Sequence, residues 1–414
     1  MSQSVWIAGI GMTPFGIHQN STVRELTSRA VGDALTDSGG RLSEVDVAFF
    51  GNTTQGMLEG QAMVPGQIAL RSMGLEGIPV FNVENACATG SSALSLAVNQ
   101  IRAGAAEIAL AVGVEKMNVG NTARTMAVFD SAYDVSDPDA LARTLIDLGG
   151  EIDEPDVGRR SVFMDIYAAM ARSHMRQYGT TQEQIAAVAA KNHLHAVSNE
   201  RAHYRKPMTV NEVLAGRPLS YPLTVPMCAP VTDGAAAVIL CSDRALRRLN
   251  SVGPVRVRAA VVGTGRDRDI STFAGHLSKA VAERAYEAAG LGPEDIDVAE
   301  VHDATAFAEI LQTEMVGLVP EGHGGPAALR GETSLGGRIP VNPSGGLESK
   351  GHPLAASGLG QIFELTEQLR GASGSRQVEG ARIALAENGG GFHRGEEAVT
   401  SIIVLESSEP RSRR

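Results

Sequence analysis

The chain has 414 residues, 43% hydrophobic and 20% charged, with a formal net charge of −11 at pH 7. That length suits two domains or one large duplicated unit, and the composition is that of a soluble globular protein rather than a disordered one. The acidic balance argues against nucleic acid as the main partner, and no segment approaches the ~18 uninterrupted apolar residues of a membrane span.

The amino terminus has neither a basic region nor a long apolar core, so no signal peptide is expected. Val5 to Ile10 reads as an apolar strand. The stretch from Ala34-Leu35 to Val45-Asp46-Val47-Ala48 reads as helix, glycine turn, acidic loop and strand. Next comes a small-residue turn, Asn85-Ala-Cys-Ala-Thr-Gly-Ser-Ser-Ala-Leu94, running into an apolar-periodic helix over Ala93 to Ile101. Cys87 sits in that turn. A thiol there faces the unpaired N–H groups and positive end of the helix, which favour thiolate. The small neighbours leave room for an approaching group. The ordinary alternative is a buried cysteine acting as a small hydrophobe. Cys228 and Cys241 complete a set of three, with no metal-ligand spacing. Reduced thiols, a cytoplasmic setting and no metal site are expected.

An apolar strand, Ile108 to Val112, follows. Residues from about 117 to 232 then interrupt the first half. They hold an acidic loop, Asp130 to Asp156, and helical segments with a capping pattern at Thr180-Thr181-Gln182-Glu183-Gln184. This insertion is expected to cover one face and shape a pocket, although its scattered aromatics do not mark a ring-binding site. The chain re-enters a strand at Ala237 to Leu240.

A second half then repeats the order of the first. Val255 to Val262 matches the opening strand, and Ala285-Tyr286 to Ile296-Asp297-Val298-Ala299 matches 34–48 at a constant offset. The halves divide at 1–250 and 251–414. Alternating strands and helices imply an α/β fold with mostly parallel sheets covered by helices. In this repeat, the helix Gln361 to Leu369 corresponds to the one after Cys87. His352, in Gly351-His-Pro-Leu-Ala-Ala-Ser-Gly358, therefore occupies the mirrored turn. It is placed to take a thiol proton, the nucleophile-plus-base pair that covalent catalysis requires. His302 follows the strand Ile296 to Ala299, near a strand's carboxyl end, where α/β sites form. Glu387-Asn388-Gly389-Gly390-Gly391 follows another strand. Its three glycines let backbone N–H groups approach a ligand and bind an oxyanion.

These four stretches together resemble the thiolase superfamily over nearly the whole chain. His302-Asp303 is similar to the sterol-carrier-protein-type branch, as are Ser220-Tyr-Pro-Leu-Thr224 and Asp233-Gly-Ala-Ala236. The resemblance implies duplicated βαβαβ halves in a layered α-β-α-β-α core with an inserted loop domain. It implies an acyl-CoA substrate, no bound cofactor, an acyl group carried on Cys87, and His352 as base. The Cys87 and Gly389 amides, with Asn388 and Gly390 beside them, would form one oxyanion hole, and His302 would help form the other. A homodimer is also implied, and in some relatives an OB-fold partner protein.

The chain departs from the family at the second cysteine. Its two usual positions are here Glu387 and Ala304. Three routes stay open: Glu387 as the proton-transfer group, His302 in that role, or acyl transfer without a carbanion, including a retro-aldolase working with a partner. A non-catalytic lipid-binding member of the fold is the least favoured reading. Arg159, Arg160, Arg201, Arg205 and Lys206 are candidate contacts for coenzyme A phosphates, each read first as solvated surface charge.

Overall fold

A computed structural model describes residues 3–148 and 161–408. The first half supplies β1 (Val5–Met12), β2 (Val47–Gly51), β3 (Val80–Val83), β4 (Ile108–Glu115) and β5 (Gly234–Ser242). The second supplies β6 (Val255–Thr264), β7 (Val298–Glu300), β8 (Ile383–Gly390) and β9 (Val399–Ser407). Their order is β3-β2-β4-β5-β1-β6-β9-β8-β7. The two half-sheets meet only where Trp6 pairs with Arg256 and Ile7 with Val255.

The sheet is mixed, not mostly parallel. Only β2–β3, β2–β4 and β7–β8 run parallel. β5 arrives from the insertion rather than from a crossover helix, and lies antiparallel between β4 and β1. β9 returns from β8 after a short loop and so runs against it. Every residue of β4 and β5 is buried, as expected for strands covered on both faces.

The core clusters define five layers. Helix Val23–Ser38 starts on a Thr22–Glu25 capping box and ends on Gly39 in the left-handed region. Its Leu26, Ala30 and Ala34 pack on the outer face of the first half-sheet. Helix Leu277–Ala289 does the same on the second. Between the half-sheets run helices Thr89–Arg102 and Leu354–Arg370, sharing one core with strands of both halves. They cross at glycines: a Cβ at Gly90 would fall on the Ala355 carbonyl, and one at Gly358 on Ser91 Oγ. This close crossing brings the starts of the two helices together.

The insertion packs separately. Helices Val162–Tyr178 and Gln182–Ala196 share a core with helix Ala306–Met315. The capping box at Thr181–Gln184 is present. The stretch read as an acidic loop contains a helix, Pro138–Asp147. Among the described residues, no helix is long and apolar enough to cross a membrane.

Candidate active site

Cys87 lies in a short turn, Ala86–Ala88, at the start of the first central helix. Hydrogen bonds over-determine this turn. Asn85 N–H donates to Thr89 Oγ1 at 2.8 Å, and that hydroxyl donates to Ala86 O at 2.7 Å. Ala86 is thereby held at φ +47°, a conformation that costs a non-glycine residue energy and persists only when its surroundings enforce it. The main-chain amides of Gly391 and Cys87 pull the thiol pKa down. Even so, burial first, and then the Glu115 carboxyl, push the thiol up to about 12. The expected thiolate is not met. A helix terminus contributes only ~0.3–1 kcal/mol at most exposed sites, less than the desolvation of a buried charge.

The turn carrying His352 follows the same logic in the second half. His352 Nε2 stands 3.2 Å from Cys87 Sγ. Its Nδ1 is 2.7 Å from Ser357 Oγ, whose hydroxyl donates to Pro353 O at 3.0 Å. The serine oxygen therefore accepts from Nδ1–H, and the neutral ring presents a bare Nε2 to the thiol. Burial, with the neighbouring His302, holds the imidazole pKa well below its ordinary value. The resting pair is a neutral thiol and a neutral imidazole.

His302 packs edge-on against His352, with ring centroids 5.2 Å apart. The Cys87 sulfur and one nitrogen of each histidine lie within 4.8 Å of one another. Among the described residues these three alone cluster closely enough to hold a metal ion, but each already has a hydrogen-bonding use. Asn388 Oδ1 accepts from Ser91 Oγ at 2.8 Å, so its amide NH₂ faces His302 Nδ1 at 3.1 Å. Nδ1 then accepts, and Nε2 carries the hydrogen. Burial lowers this histidine to about 4, so it is a neutral N–H donor at physiological pH. The two histidines are opposite tautomers.

Other expected residues are placed differently. Glu387 Oε2 accepts from the His302 main-chain N–H at 2.8 Å. Its carboxyl reaches under the His302 loop, and Glu387 does not line the cavity above Cys87; it therefore anchors that loop instead of facing a substrate. Asn388 orients His302 and also stands behind the wall. Gly390 and Gly391 line the cavity, whereas Gly389 does not. A Cβ at 389 would stand 2.6 Å from Glu397 Cγ. The glycine amide that lowers the Cys87 thiol pKa is that of Gly391, two residues beyond the expected Gly389.

The cavity holds about 760 Å³ and contains Cys87, His302 and His352 in its wall, within the ~300–1,000 Å³ of small-molecule sites. Phe129, Tyr133, Phe163, Tyr167, Tyr204 and Phe392 line it. They are three of the chain's six tyrosines and three of its ten phenylalanines, so the fold gathers aromatics that look scattered in sequence. Phe129 and Phe163 meet edge-to-face at 6.3 Å, and Phe392 N–H ties to Ala132 O at 2.8 Å. Cys228 also lines the cavity, bridging to Thr305 next to Ala304. Burial, and then Glu348, push its thiol pKa far up.

Three of the expected cations lie away from the cavity. Arg201 stacks over Phe363 at 4.6 Å, and Arg205 holds Val197 O at 3.4 Å. Lys206 is exposed and away from the cavity. Arg159 and Arg160 lie outside the described residues. Among the described residues, the exposed arginine that lines the cavity is Arg217. Ser357, Tyr167, Arg217 and Glu397 were missed in the sequence, whereas Gly391 was marked within the three-glycine run. Of those missed, only Ser357 carried a local signal, sitting in the same Gly-rich stretch as His352.

Comparison with known proteins agrees with this geometry. The family profile described as "Thiolase, N-terminal domain" matches residues 5–213, and "Thiolase C-terminal domain-like" matches 266–404. An acetyl-CoA acetyltransferase of Methanothermobacter thermautotrophicus is 37% identical over 94% of this chain and 97% of its own. Sterol carrier protein 2 of Bos taurus is 38% identical over 93% of this chain and 69% of its own. The benzoylsuccinyl-CoA thiolase subunit BbsB of Thauera aromatica is 34% identical over 94% of this chain and 96% of its own. In fold, a solved chain titled Ltp2-ChsH2(DUF35) aldolase superposes with a TM-score of 0.79 over 99% of both chains, at 23% identity. The chain belongs to the thiolase family.

Proposed function

We propose that this chain is a thiolase-type acyltransferase that takes an acyl group from a coenzyme A thioester onto Cys87 and uses it to form or cleave a carbon–carbon bond. The supporting observation is the 3.2 Å approach of His352 Nε2 to Cys87 Sγ, with the tautomer set through Ser357. The thiol proton passes to His352 as the sulfur attacks the thioester carbon. The Cys87 and Gly391 amides receive the oxyanion. The bond to the coenzyme A sulfur breaks with its electron pair on that sulfur, and His352 returns the proton to it. In the second half-reaction, His302 Nε2–H serves the thioester oxygen of the incoming acyl-CoA.

Coenzyme A acts here as a substrate, not a resident cofactor. Arg217 is the cation offered to its phosphates, in place of Lys206. The acyl group is bulky and ring-bearing: six aromatic side chains line the cavity, and aromatic pairs gain ~0.5–1.5 kcal/mol beyond area burial. The similarity to a subunit named for benzoylsuccinyl-CoA points the same way. A homodimer is proposed through the edge strand β3, where Phe81 is 48% exposed. Free thiols at all three cysteines suit a cytoplasmic setting.

A second reading is a non-thiolytic acyltransferase or retro-aldolase completed by an OB-fold partner. In its favour stand Ala304 and Glu387, where a second thiol is lacking. Isotope exchange between an acyl-CoA and labelled free coenzyme A tests the acyl-enzyme, since it requires no carbon–carbon step. Exchange is expected, faster for phenyl-bearing acyl-CoAs than for acetyl-CoA. No exchange with any acyl-CoA defeats the reading, and a preference for acetyl defeats its ring-bearing part.

A further inference from the structure

A group suited to replace the missing thiol lies in the cavity wall. Glu397, in the loop between β8 and β9, lines the cavity and is otherwise buried. Its side chain runs over Gly389, where a Cβ would leave only 2.6 Å to Glu397 Cγ; the absence of a side chain at 389 is what admits it. Oε1 accepts from Gln312 Nε2 at 2.9 Å. Among the described residues Oε2 has no hydrogen-bond partner, with His276 Nε2 3.5 Å away. Ser278 N–H donates to His276 Nδ1 at 3.2 Å, so the neutral ring carries its hydrogen on Nε2, facing the carboxyl.

The nearest described arginine does not pair with this carboxyl. Arg268 is bound by Glu396, at 2.6 Å. Burial first, then Glu396, raise Glu397 to about 7, against the pull of Arg268. Glu387 stands near enough to feel its charge. Burial first, and then the charges of Glu397 and Cys87, raise Tyr167, which lies in the same cavity wall.

We propose that Glu397 is the second acid–base of this site, moving the α-proton that a second cysteine moves in thiolases; this rests on the reading that Cys87 carries an acyl group. In the direction of bond formation, the Glu397 carboxylate takes an α-proton from the second acyl-CoA. The C–H electron pair becomes an enolate, its oxygen held by His302 Nε2–H. The α-carbon attacks the carbonyl carbon of acyl-Cys87, and the C–S bond breaks with its pair on the Cys87 sulfur. The proton on Glu397 passes to that sulfur, restoring thiol and carboxylate. Cys228 stands in the same wall, but a thiol pushed so far up is a poor base at neutral pH.

The test separates two readouts in the same protein: mass adducts on Cys87, and α-deuterium uptake by an acyl-CoA in D₂O. Glu397→Gln is expected to load Cys87 at the wild-type rate and to lose exchange by about 100-fold or more. In wild type, exchange is expected to rise with pH through about 7 as the carboxyl ionises. Gln312→Met removes a donor to the carboxylate and is expected to move that midpoint to higher pH with loading unchanged. Wild-type exchange in Glu397→Gln, an unmoved midpoint in Gln312→Met, or loss of exchange in Cys228→Ala instead would overturn the proposal. Failure of wild type to load Cys87 would overturn the acyl-enzyme reading beneath it.

Discussion

The turn carrying Cys87 and the turn carrying His352 stand at matching places, each at the start of a central helix, yet one is left open and the other sealed. Cys87 is half-buried behind a strained Ala86. His352 is 7% exposed and locked by Ser357 and Pro353. A nucleophile has to be reached, so its turn pays in backbone strain for access. A base that stays neutral has to be dry, so its turn is packed. Duplicated architecture supplies two equivalent positions, and burial divides the labour between them.

Substitutions at the two turns sharpen that division. Cys87→Ala is expected to abolish the acyl adduct in intact-mass spectra, because no other described thiol has a base beside it. His352→Asn is expected to slow loading by roughly 10²–10⁴, the usual contribution of a positioned base; stopped-flow loading with one acyl-CoA measures it. Ser357→Ala leaves both partners in place but frees the tautomer. Losing a hydrogen bond of ~1 kcal/mol predicts loading about five- to tenfold slower.

The smallest effect concerns the open turn. Glu115 is itself raised to about 7 by burial and, after burial of the thiol, is the main group holding the Cys87 pKa up. Its charge opposes the thiolate only where it is ionised, above about pH 7. Glu115→Gln is therefore expected to lower the thiol pKa and quicken alkylation by iodoacetamide at pH 8 to 9, with little change at pH 6. Equal rates at both pH values would show that Glu115 does not act on the sulfur.

Much of this site was legible in the chain. Cys87 was marked by a small-residue turn into a helix, His352 by a Gly-rich loop and His302 by the strand before it, and the repeat aligned Cys87 with His352. Local pattern could not show which carboxylate meets the cavity. Glu387 and Glu397 are ten residues apart, and the pleat of β8 and the return of the next loop decide which one lines the cavity. The same geometry brings Gly390 and Gly391, and not Gly389, to the cavity wall. Nor could periodicity show that β5 runs antiparallel, since that depends on how a long insertion returns. The thiol's protonation state was misjudged because a helix terminus is visible in sequence and desolvation is not.

The most direct test is tryptic mapping of the protein quenched during incubation with a ring-bearing acyl-CoA. A single acyl adduct on the peptide containing Cys87, slowed in His352→Asn, is the expected result. An adduct on Cys228, or none on Cys87, would contradict the assignment of Cys87 as the acyl carrier.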